Sequence, residues 1–442
     1  MRYFIYPKGV NGIMIGDFLK IHELDSEVFF LEDEVLDTFE DTFGQITSED
    51  LFFVVSSNYY EQCTKKLENH GIYSYVDGIE WCGNKINQII KKYRGKRSAI
   101  GIHVGDMTDW KYFADIDADL KKEGYEIVYL AANIEIYKEC CKRGFSIIAA
   151  HSILSKIKEI DMIISVSYCQ SHRQVINFNI DHGLEGLLNL FSYSLDKNEI
   201  EYFNQICKNT DFVRCSLKSV LEVTQKYFES KNIATQIVPI GYLKLDKDYV
   251  EYQGYLENCK QINKEYVIVA YSAETSISFF KQLIFELLGY SKVVFLPHPL
   301  IMKMKDIELI KGDFKGAELF FEDDFESRME LLAKSKCLLT DCSSMGYTYP
   351  LTTSKPVVIF DENKKDYFNK KVCNHHYFDH RLHYFCDNFW DLERYIRDIP
   401  LFAEKYAVKI EEYRMKEYFG FGNSRADTIE FIKKVLSKKM QE

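Results

Sequence analysis

The 442-residue sequence contains no apolar run that approaches the roughly 18 residues that a membrane-spanning helix needs. We also expect no secretory signal peptide, because its first apolar segment, residues 1–6, is a short predicted strand that Pro7 ends. The 12 cysteines have irregular spacings and several fall on predicted strands or helices, which is typical of free thiols in a reducing compartment. We therefore expect a cytoplasmic protein.

A positive net charge is also missing, since 56 Lys and Arg residues face 67 Asp and Glu residues and the formal net charge is -11. A chain of this charge has no general attraction for a phosphate backbone, so we expect no sequence-independent binding of nucleic acid. Lysines still cluster from Lys434 to Lys439, on a predicted amphipathic helix. That cluster has two interpretations, a solvated helix face or a weak peripheral contact with the inner face of the cell membrane.

The sequence is neither repetitive nor of low complexity, and 46% hydrophobic residues are ample for ordinary cores. A chain of this length is expected to form two or three domains. Alternating apolar strands and helical segments predict three α/β units, at residues 1–95, 96–235 and 236–442, the last ending in helices. Such alternation implies parallel sheets with right-handed crossovers, and we expect the second and third units to face each other across a cleft.

The first unit carries a glycine turn after its first predicted strand, at Gly9, Gly12 and Gly16. Two acids, Glu32 and Asp33, follow the next predicted strand, an order that is typical of a Rossmann-like domain. The glycine spacing differs from the dinucleotide-binding pattern. The glycines have a second interpretation, in which they only let a helix pack closely on the sheet.

The most informative segment is 337–360, where two buried strands flank a turn and the start of a helix. The turn carries Asp341, Ser343 and Ser344. Backbone N–H groups at a helix N-terminus are unpaired and the helix dipole favours negative charge there, so two added hydroxyls predict a phosphate-binding corner. Upstream, an apolar strand ends in His298 between two prolines. Since ligands bind at the carboxyl ends of parallel strands, both features point to an enzyme that binds a phosphate-bearing donor.

A further cluster follows the last predicted strand of the second unit, where Asp181, His182 and Gly183 precede an apolar segment. A histidine that titrates near neutrality can take the proton of an attacking hydroxyl, and a neighbouring carboxylate can orient it. Capping of the helix that follows is the alternative for this histidine. The next strand ends in a glycine turn at residues 241–246.

Taken in order, these motifs resemble the CDP-glycerol glycerophosphotransferases of teichoic-acid and capsule synthesis. The resemblance covers roughly residues 97–435. It implies an α/β fold with a GT-B-like pair of Rossmann-like domains, which the small first unit precedes. Residues 181–183 match the family's His-Gly motif, and residues 241–246 match its Gly-Tyr-Pro-Arg-Asn-Asp turn. Residues 297–299 match its His-Pro motif. Residues 340–344 match its Asp-Tyr-Ser-Ser block, and residues 355–356 match the Lys/Arg-Pro pair that follows this block.

The resemblance also implies residue roles. His182 is the expected general base with Asp181 beside it, and His298, Ser343 and Ser344 are expected to hold the phosphates of the donor. The remaining donor-site candidates are Asp341, Gly241, Lys244 and Asp246. We expect a cytidine-nucleotide donor that acts as a substrate, a glycan or lipid-linked acceptor, and neither a cofactor nor a metal.

The sequence departs from the family pattern at two places. The Arg and Asn of the glycine turn are Lys244 and Leu245, and the family's Pro-Thr-Trp-Arg segment appears at 270–274 without a cation. Two alternatives therefore stay open. The first is a GT-B-like sialyltransferase or other nucleotide-sugar glycosyltransferase, with Asp181 as the base. The second is a non-catalytic regulator that binds a nucleotide sugar, with residues 1–95 as its sensor.

A segment rich in histidine, residues 373–386, contains four histidines and two cysteines. These residue types can bind zinc, although their spacing fits no standard zinc motif. The second interpretation is a structural or acceptor-side loop that contacts an anionic substrate.

Overall fold

The fold is taken from a computed structural model that describes residues 1–22, 27–55, 59–149, 151–167, 169–183, 207–259, 261–271, 276–298, 304–341, 343–360 and 379–439. The described strands form three sheets, and the pairs that build these sheets are parallel. The predicted α/β architecture is therefore confirmed. No helix within the described ranges combines the length and apolarity that a membrane crossing requires.

The first sheet has the strand order β2-β1-β3-β4. Its elements are β1 (Arg2–Tyr6), α1 (Val10–His22), β2 (Glu27–Phe30), α2 (Asp33–Leu36), α3 (Phe39–Phe43), β3 (Asp50–Val54), α4 (Tyr60–Asn69), β4 (Tyr75–Asp77) and α5 (Gly78–Arg94). A Cβ atom at Gly16 would lie 2.5 Å from the ring of Phe30. This contact supports the interpretation in which the glycines let α1 pack closely on the sheet.

The second sheet has the order β11-β10-β9-β8-β5-β6-β7. Its strands are β5 (Ala99–Val104), β6 (Glu126–Ala131), β7 (Ser146–Ile148), β8 (Met162–Ser165), β9 (Ile176–Asn179), β10 (Phe212–Cys215) and β11 (Gln236–Pro239). Helices α6 (Trp110–Phe113), α7 (Ile116–Lys122), α8 (Ile134–Arg143) and α9 (Lys218–Ser230) lie between them in the chain. Every residue of β5 and β6 is buried, as expected for central strands of a parallel sheet covered on both faces.

The third sheet has the order β14-β13-β12-β15-β16-β17. Its strands are β12 (Tyr266–Val269), β13 (Lys292–Phe295), β14 (Leu319–Phe320), β15 (Ser335–Thr340), β16 (Val357–Phe360) and β17 (His383–Cys386). The helices from β11 onward are α10 (Leu243–Asn258), α11 (Ile277–Leu288), α12 (Met304–Asp313), α13 (Arg328–Lys334), α14 (Met345–Thr353), α15 (Phe389–Glu417) and α16 (Ser424–Lys439). The strand–helix–strand unit expected around the two serines is present as β15, α14 and β16.

Two segments that the sequence analysis assigned to the third unit pack with the second. Strand β11 pairs with β10 in the second sheet. Ile432 and Leu436 of α16 are buried in the same core as Val238 and Ile240. An apolar pattern predicts that a segment is buried but not which sheet it joins. For this reason the boundary predicted after residue 235 falls before β11, although β11 is a strand of the second sheet. Burial of the apolar face of α16 also removes that face from contact with a membrane.

The first and second units share one hydrophobic core, which contains residues of α1 and α5 together with residues of β6, β7 and the turn 151–156. Asn87 of α5 is buried in this contact. Its amide donates to the carbonyl of Lys156 at 2.9 Å, and its carbonyl accepts from the N–H groups of Lys158 and Glu159 at 2.8 and 3.1 Å. This side chain therefore pairs three backbone groups of the second unit that lie away from water.

We expect Asn87→Ala to lower the free energy of unfolding by about 1–3 kcal/mol, because it leaves buried backbone groups unpaired. Urea denaturation measures the change. The matched control is Asn258→Ala, which removes an exposed bond to the Gly254 carbonyl at the end of α10 and should change stability by less than about 0.5 kcal/mol. Equal effects of the two substitutions would show that Asn87 does not join the units.

Candidate active site

The second and third sheets each contain a point at which the strand order reverses. The chain runs from β5 outward to β7 and then returns to β8 on the other side of β5, and it runs from β12 outward to β14 and then returns to β15. Loops at the carboxyl ends of strands separate at such a point and leave a crevice where ligands bind in open α/β sheets. The segments after β5, β9, β13 and β15 carry the candidate residues.

Asp181 and His182 follow β9 directly. Asp181 has a φ of 51°, a left-handed conformation that Asp tolerates better than most residues. Nδ1 of His182 lies 3.1 Å from Oδ1 of Asp181, and the His182 side chain is 65% exposed whereas that of Asp181 is 7% exposed. Donation of a proton from Nδ1 to the carboxylate places the basic lone pair of the imidazole on Nε2. The pair therefore has the geometry of an oriented general base.

The surroundings of Asp181 keep its carboxylate ionised. Burial alone would raise the pKa of Asp181, but the hydrogen bond from His182 and the charges of His182 and Arg214 outweigh burial and lower that pKa. The backbone N–H groups of His182 and Gly183 also donate to Oδ1. Asp181 therefore stays ionised at neutral pH and can keep the imidazole in one tautomer.

Arg214 of β10 shapes the turn that carries this pair. The guanidinium is buried and donates to the carbonyls of Ile180 and Gly183, the two residues that flank Asp181 and His182. It also lies 4.6 Å from the ring centroid of Tyr242, and the Tyr242 hydroxyl donates to the carbonyl of His182 at 2.7 Å. The turn is thus supported from two neighbouring segments. The sequence analysis identified the glycine turn that contains Tyr242 but not Arg214.

The predicted phosphate corner follows β15. Asp341 is buried, and its carboxylate accepts from the N–H of Ser343 at 3.0 Å. The Ser343 hydroxyl accepts from the N–H of Met345 at 3.3 Å, and Ser344, the residue before α14, is exposed and makes no side-chain cap. His298 is half-buried after β13. Because β12 alone separates β13 from β15, the two strands that lead to His298 and to the serines are about 10 Å apart, and both end at the same edge of the sheet.

The glycine turn after β11 has a structural role. A Cβ atom at Gly241 would lie 2.0 Å from the hydroxyl of Ser424 and 2.6 Å from the carbonyl of Phe419. The carboxylate of Asp246 is buried and accepts from the N–H of Ser424 at 2.8 Å. Both residues therefore fix the segment that leads into α16, and a role for them in binding the donor stays a prediction.

The family model described as CDP-glycerol:poly(glycerophosphate) glycerophosphotransferase matches residues 121–427. The chain belongs to this family. It is accordingly a transferase of the glycerophosphotransferase type, and the matched range contains every residue from Asp181 to Ser344 that the sequence analysis placed in the site. The alternatives of a sialyltransferase and of a non-catalytic regulator are not favoured by this finding.

Solved structures with a similar fold include the wall teichoic acid polymerase TagF, with a TM-score of 0.54 and 13% identity over 87% of this chain and 99% of that chain. A putative UDP-N-acetylglucosamine 2-epimerase from Listeria monocytogenes gives a TM-score of 0.53 and 12% identity over 77% and 97% of the two chains. At these identities the likeness concerns the fold, and it confirms the predicted GT-B-like architecture. No curated protein sequence matches the chain.

In this glycerophosphotransferase-family protein, the ammonium group of Lys111 lies 4.8 Å from the ring centroid of Tyr112, and that ring lies 6.1 Å from the ring of His182. Helix α10 carries Lys244 in its first turn and packs against the helices that carry Lys111 and Arg328. Lys111 of α6 and Arg328 of α13 were not predicted, and Lys244 of α10 was. Sequence reasoning missed the first two because an isolated cation on a helix has the pattern of a solvated side chain.

Lys355, from the Lys-Pro pair after α14, lies in the core. Its ammonium group donates to the carbonyls of Leu332, Ala333 and Ser335 at 2.6, 2.7 and 2.6 Å. Burial lowers the pKa of Lys355 well below its ordinary value. The residue thus binds the carbonyl end of α13 and holds that helix in place, rather than contacting the cleft.

The histidine-rich segment is only partly described, because residues 373–378 lie outside the described ranges. His383 is buried at the start of β17, where Nε2 donates to the Gly346 carbonyl at 2.8 Å and Nδ1 accepts from the N–H of Asp379 at 3.0 Å. It thus links β17 to α14, directly after the serine corner. Among the described residues, no group of three or more His, Cys, Asp or Glu side chains could hold a metal ion. The zinc alternative for residues 373–386 stays a prediction.

His383 should make the protein sensitive to acid. Burial lowers the pKa of His383 to about 4 from an ordinary value of 6.5. As the pH falls from 6.5 to 4, the unfolded chain takes up a proton here and the folded chain does not, so this residue should lower the free energy of unfolding by about 3 kcal/mol. We expect His383→Gln to flatten the dependence of unfolding free energy on pH in this window, as measured by urea denaturation.

The control for this prediction is His70→Gln. The pKa of His70 is raised, first by the Lys66 carbonyl and then by Asp37. The stability that His70 contributes is therefore complete below the pKa of the unfolded chain and is lost only as the pH rises through the raised pKa. Removal of His70 should leave the acid window unchanged. A His383 variant with the acid dependence of the wild type would contradict the assignment.

Proposed function

We propose that this protein transfers a polyol phosphate, glycerophosphate in the first instance, from a CDP-linked donor to a hydroxyl of a glycan or lipid-linked acceptor during synthesis of a teichoic-acid-like surface polymer. The family description, which names CDP-glycerol, supports this donor. The structures of TagF include crystals that were soaked with CDPG. The reaction takes place between the second and third units, where the reversal points of both sheets lie.

The observation that carries the proposal is the exposed imidazole of His182, oriented by an ionised and buried Asp181. A general base must be accessible to the acceptor and must hold its lone pair towards it, and this pair meets both requirements. A histidine that only capped a helix would have no need of a buried carboxylate on Nδ1.

The proposed reaction is an in-line displacement at phosphorus. The acceptor oxygen forms a bond to the phosphorus that carries glycerol, and the bond from that phosphorus to the bridging oxygen breaks. CMP leaves with the electron pair of the broken bond, and the proton of the acceptor hydroxyl passes to Nε2 of His182. Catalysis of such a step depends on positioning and on neutralising charge on the phosphoryl oxygens and the leaving group.

The donor-binding part of the proposal assigns the phosphate of the leaving CMP to the edge of the third sheet. His298, Ser343 and Ser344 supply donors there, and the buried Asp341 holds the Ser343 N–H within the turn. These donors belong to the protein and are ordered by it before the reaction, so they cost little reorganisation when charge develops.

The proposed reaction needs no metal ion, and chelation with EDTA should leave the rate of CMP release unchanged.

We expect His182→Ala to lower kcat for CMP release from CDP-glycerol by about 10²–10⁴-fold, because the proton acceptor is lost. Asp181→Asn should lower kcat by a comparable factor, on the order of 10⁴-fold, because the amide favours the wrong imidazole tautomer. His70→Ala, at an exposed site in the first unit, is the matched control and should retain wild-type turnover. Wild-type turnover in the His182 variant would remove this residue as the base.

Thermal unfolding in the presence of nucleotides tests the donor site without an acceptor. A nucleotide at a hundred times its Kd stabilises the fold by about 2.7 kcal/mol, and we expect CMP and CDP to raise Tm while UMP and UDP do not. The shift should be lost in His298→Ala and in the double variant Ser343→Ala, Ser344→Ala, but kept in Ser437→Ala on the surface of α16. A preference for uridine nucleotides would instead indicate a sugar-nucleotide enzyme.

We propose that the protein binds the cytoplasmic face of the cell membrane by electrostatic contact alone. Lys433 of α16 pairs with Glu123, and the ammonium group of Lys439 donates to two backbone carbonyls. Lys434 and Lys438 are the exposed lysines of this helix that remain for anionic lipid.

A further inference from the structure

Three cations meet near the catalytic pair, and each comes from a different helix. Lys111 belongs to α6 after β5, Lys244 lies in the first turn of α10, and Arg328 is the first residue of α13. Helix α10 packs against both α6 and α13. The three side chains therefore come from the second unit, from the helix that joins the two units, and from the third unit.

These cations act on one another. Burial lowers the pKa of Lys244. The carboxylate of Asp248 opposes this shift, whereas repulsion from Arg328 and Lys111 adds to it. Partial desolvation in the cleft lowers the pKa of Lys111, and Arg328 again adds to the effect. Repulsion of this kind acts between charges that lie close together, which agrees with the packing of α10 against α6 and α13.

The acids near the cluster satisfy only part of its charge. Lys244 pairs with Asp248 on the same helix. Arg328 contacts Glu322 at 3.6 Å, a long distance for an ion pair at an exposed site. Asp248, Asp106 and Asp109 attract the charge of Lys111 at longer range, and Asp109 already accepts two backbone N–H groups.

The cluster lies beside the general base. The ammonium group of Lys111 is 4.8 Å from the ring centroid of Tyr112, and that ring is 6.1 Å from the imidazole of His182. The charges of Asp181 and Arg328 both influence the pKa of the Tyr112 hydroxyl, and α13, which begins with Arg328, packs on the same helix α10 as α6 does. An anion in the cluster would therefore be within reach of an oxygen that His182 deprotonates.

We propose that Lys111, Lys244 and Arg328 together bind the non-bridging oxygens of the phosphoryl group that is transferred. This inference rests on the proposed function. The phosphorus that is attacked must lie beside the activated acceptor oxygen, whereas the serine corner serves the phosphate of the leaving CMP. The cluster supplies positive charge where the segment 270–274 has no cation. Because its members come from both units, binding of the phosphoryl group also holds the two sides of the cleft together.

The test measures binding of inorganic pyrophosphate by calorimetry, together with turnover of CDP-glycerol. Lys111→Gln and Arg328→Gln carry the test because both side chains are exposed and their removal leaves the core intact. Each should weaken pyrophosphate binding at least about tenfold and lower kcat/KM by about 10–100-fold. Lys111→Arg, which keeps the charge, should recover most of the loss. Lys311→Gln, at an exposed lysine of α12 that pairs with Glu308, is the matched control and should resemble the wild type.

The two readouts separate this inference from the proposed function. Equal pyrophosphate affinity in wild type, Lys111→Gln and Arg328→Gln would overturn the inference, as would an absence of pyrophosphate binding to the wild type. The proposed function would still stand if the wild type turned over CDP-glycerol. Conversely, charge-dependent binding of pyrophosphate by a wild type that does not turn over CDP-glycerol would support the anion site and overturn the proposed donor.

Discussion

The buried carboxylate of Asp181 is the charge on which the candidate active site depends. A carboxylate away from water is costly unless hydrogen bonds and positive charge compensate for it. Here the imidazole of His182, two backbone N–H groups and the nearby guanidinium of Arg214 do so. Arg214 in turn binds the carbonyls on either side of the pair, so the same cation stabilises the charge and the backbone that presents it.

The arrangement of the sheets explains why the candidate residues come together although they are far apart in the chain. In each of the two large sheets the strand order reverses once, and the segments after the strands at these points carry Lys111, Asp341 and the two serines. Helix α10 spans the second and third units, and α16 returns to the core of the second. The cleft is therefore supported by elements that contact both of its sides.

Several residues with the pattern of a ligand site have structural roles. Gly241 allows close approach of Ser424, Asp246 binds the start of α16, and Lys355 binds the carbonyl end of α13. Packing can require one residue type at one position, just as ligand binding can. The motif alone therefore does not distinguish a packing role from a ligand-binding role, whereas the contacts of each side chain do.

The sequence by itself determined the α/β class, the order of the motifs, and the positions of His182, Ser343 and Ser344 at strand ends, because strand period and turn residues are local properties of the chain. The family resemblance that these motifs carried was confirmed. Only the tertiary structure decided that β11 and α16 belong to the second unit, that Arg214 supports the turn of Asp181 and His182, and that Lys111 lies near that turn. Pairing of strands and proximity of charges depend on contacts between residues that are tens to hundreds of positions apart, which no local pattern records.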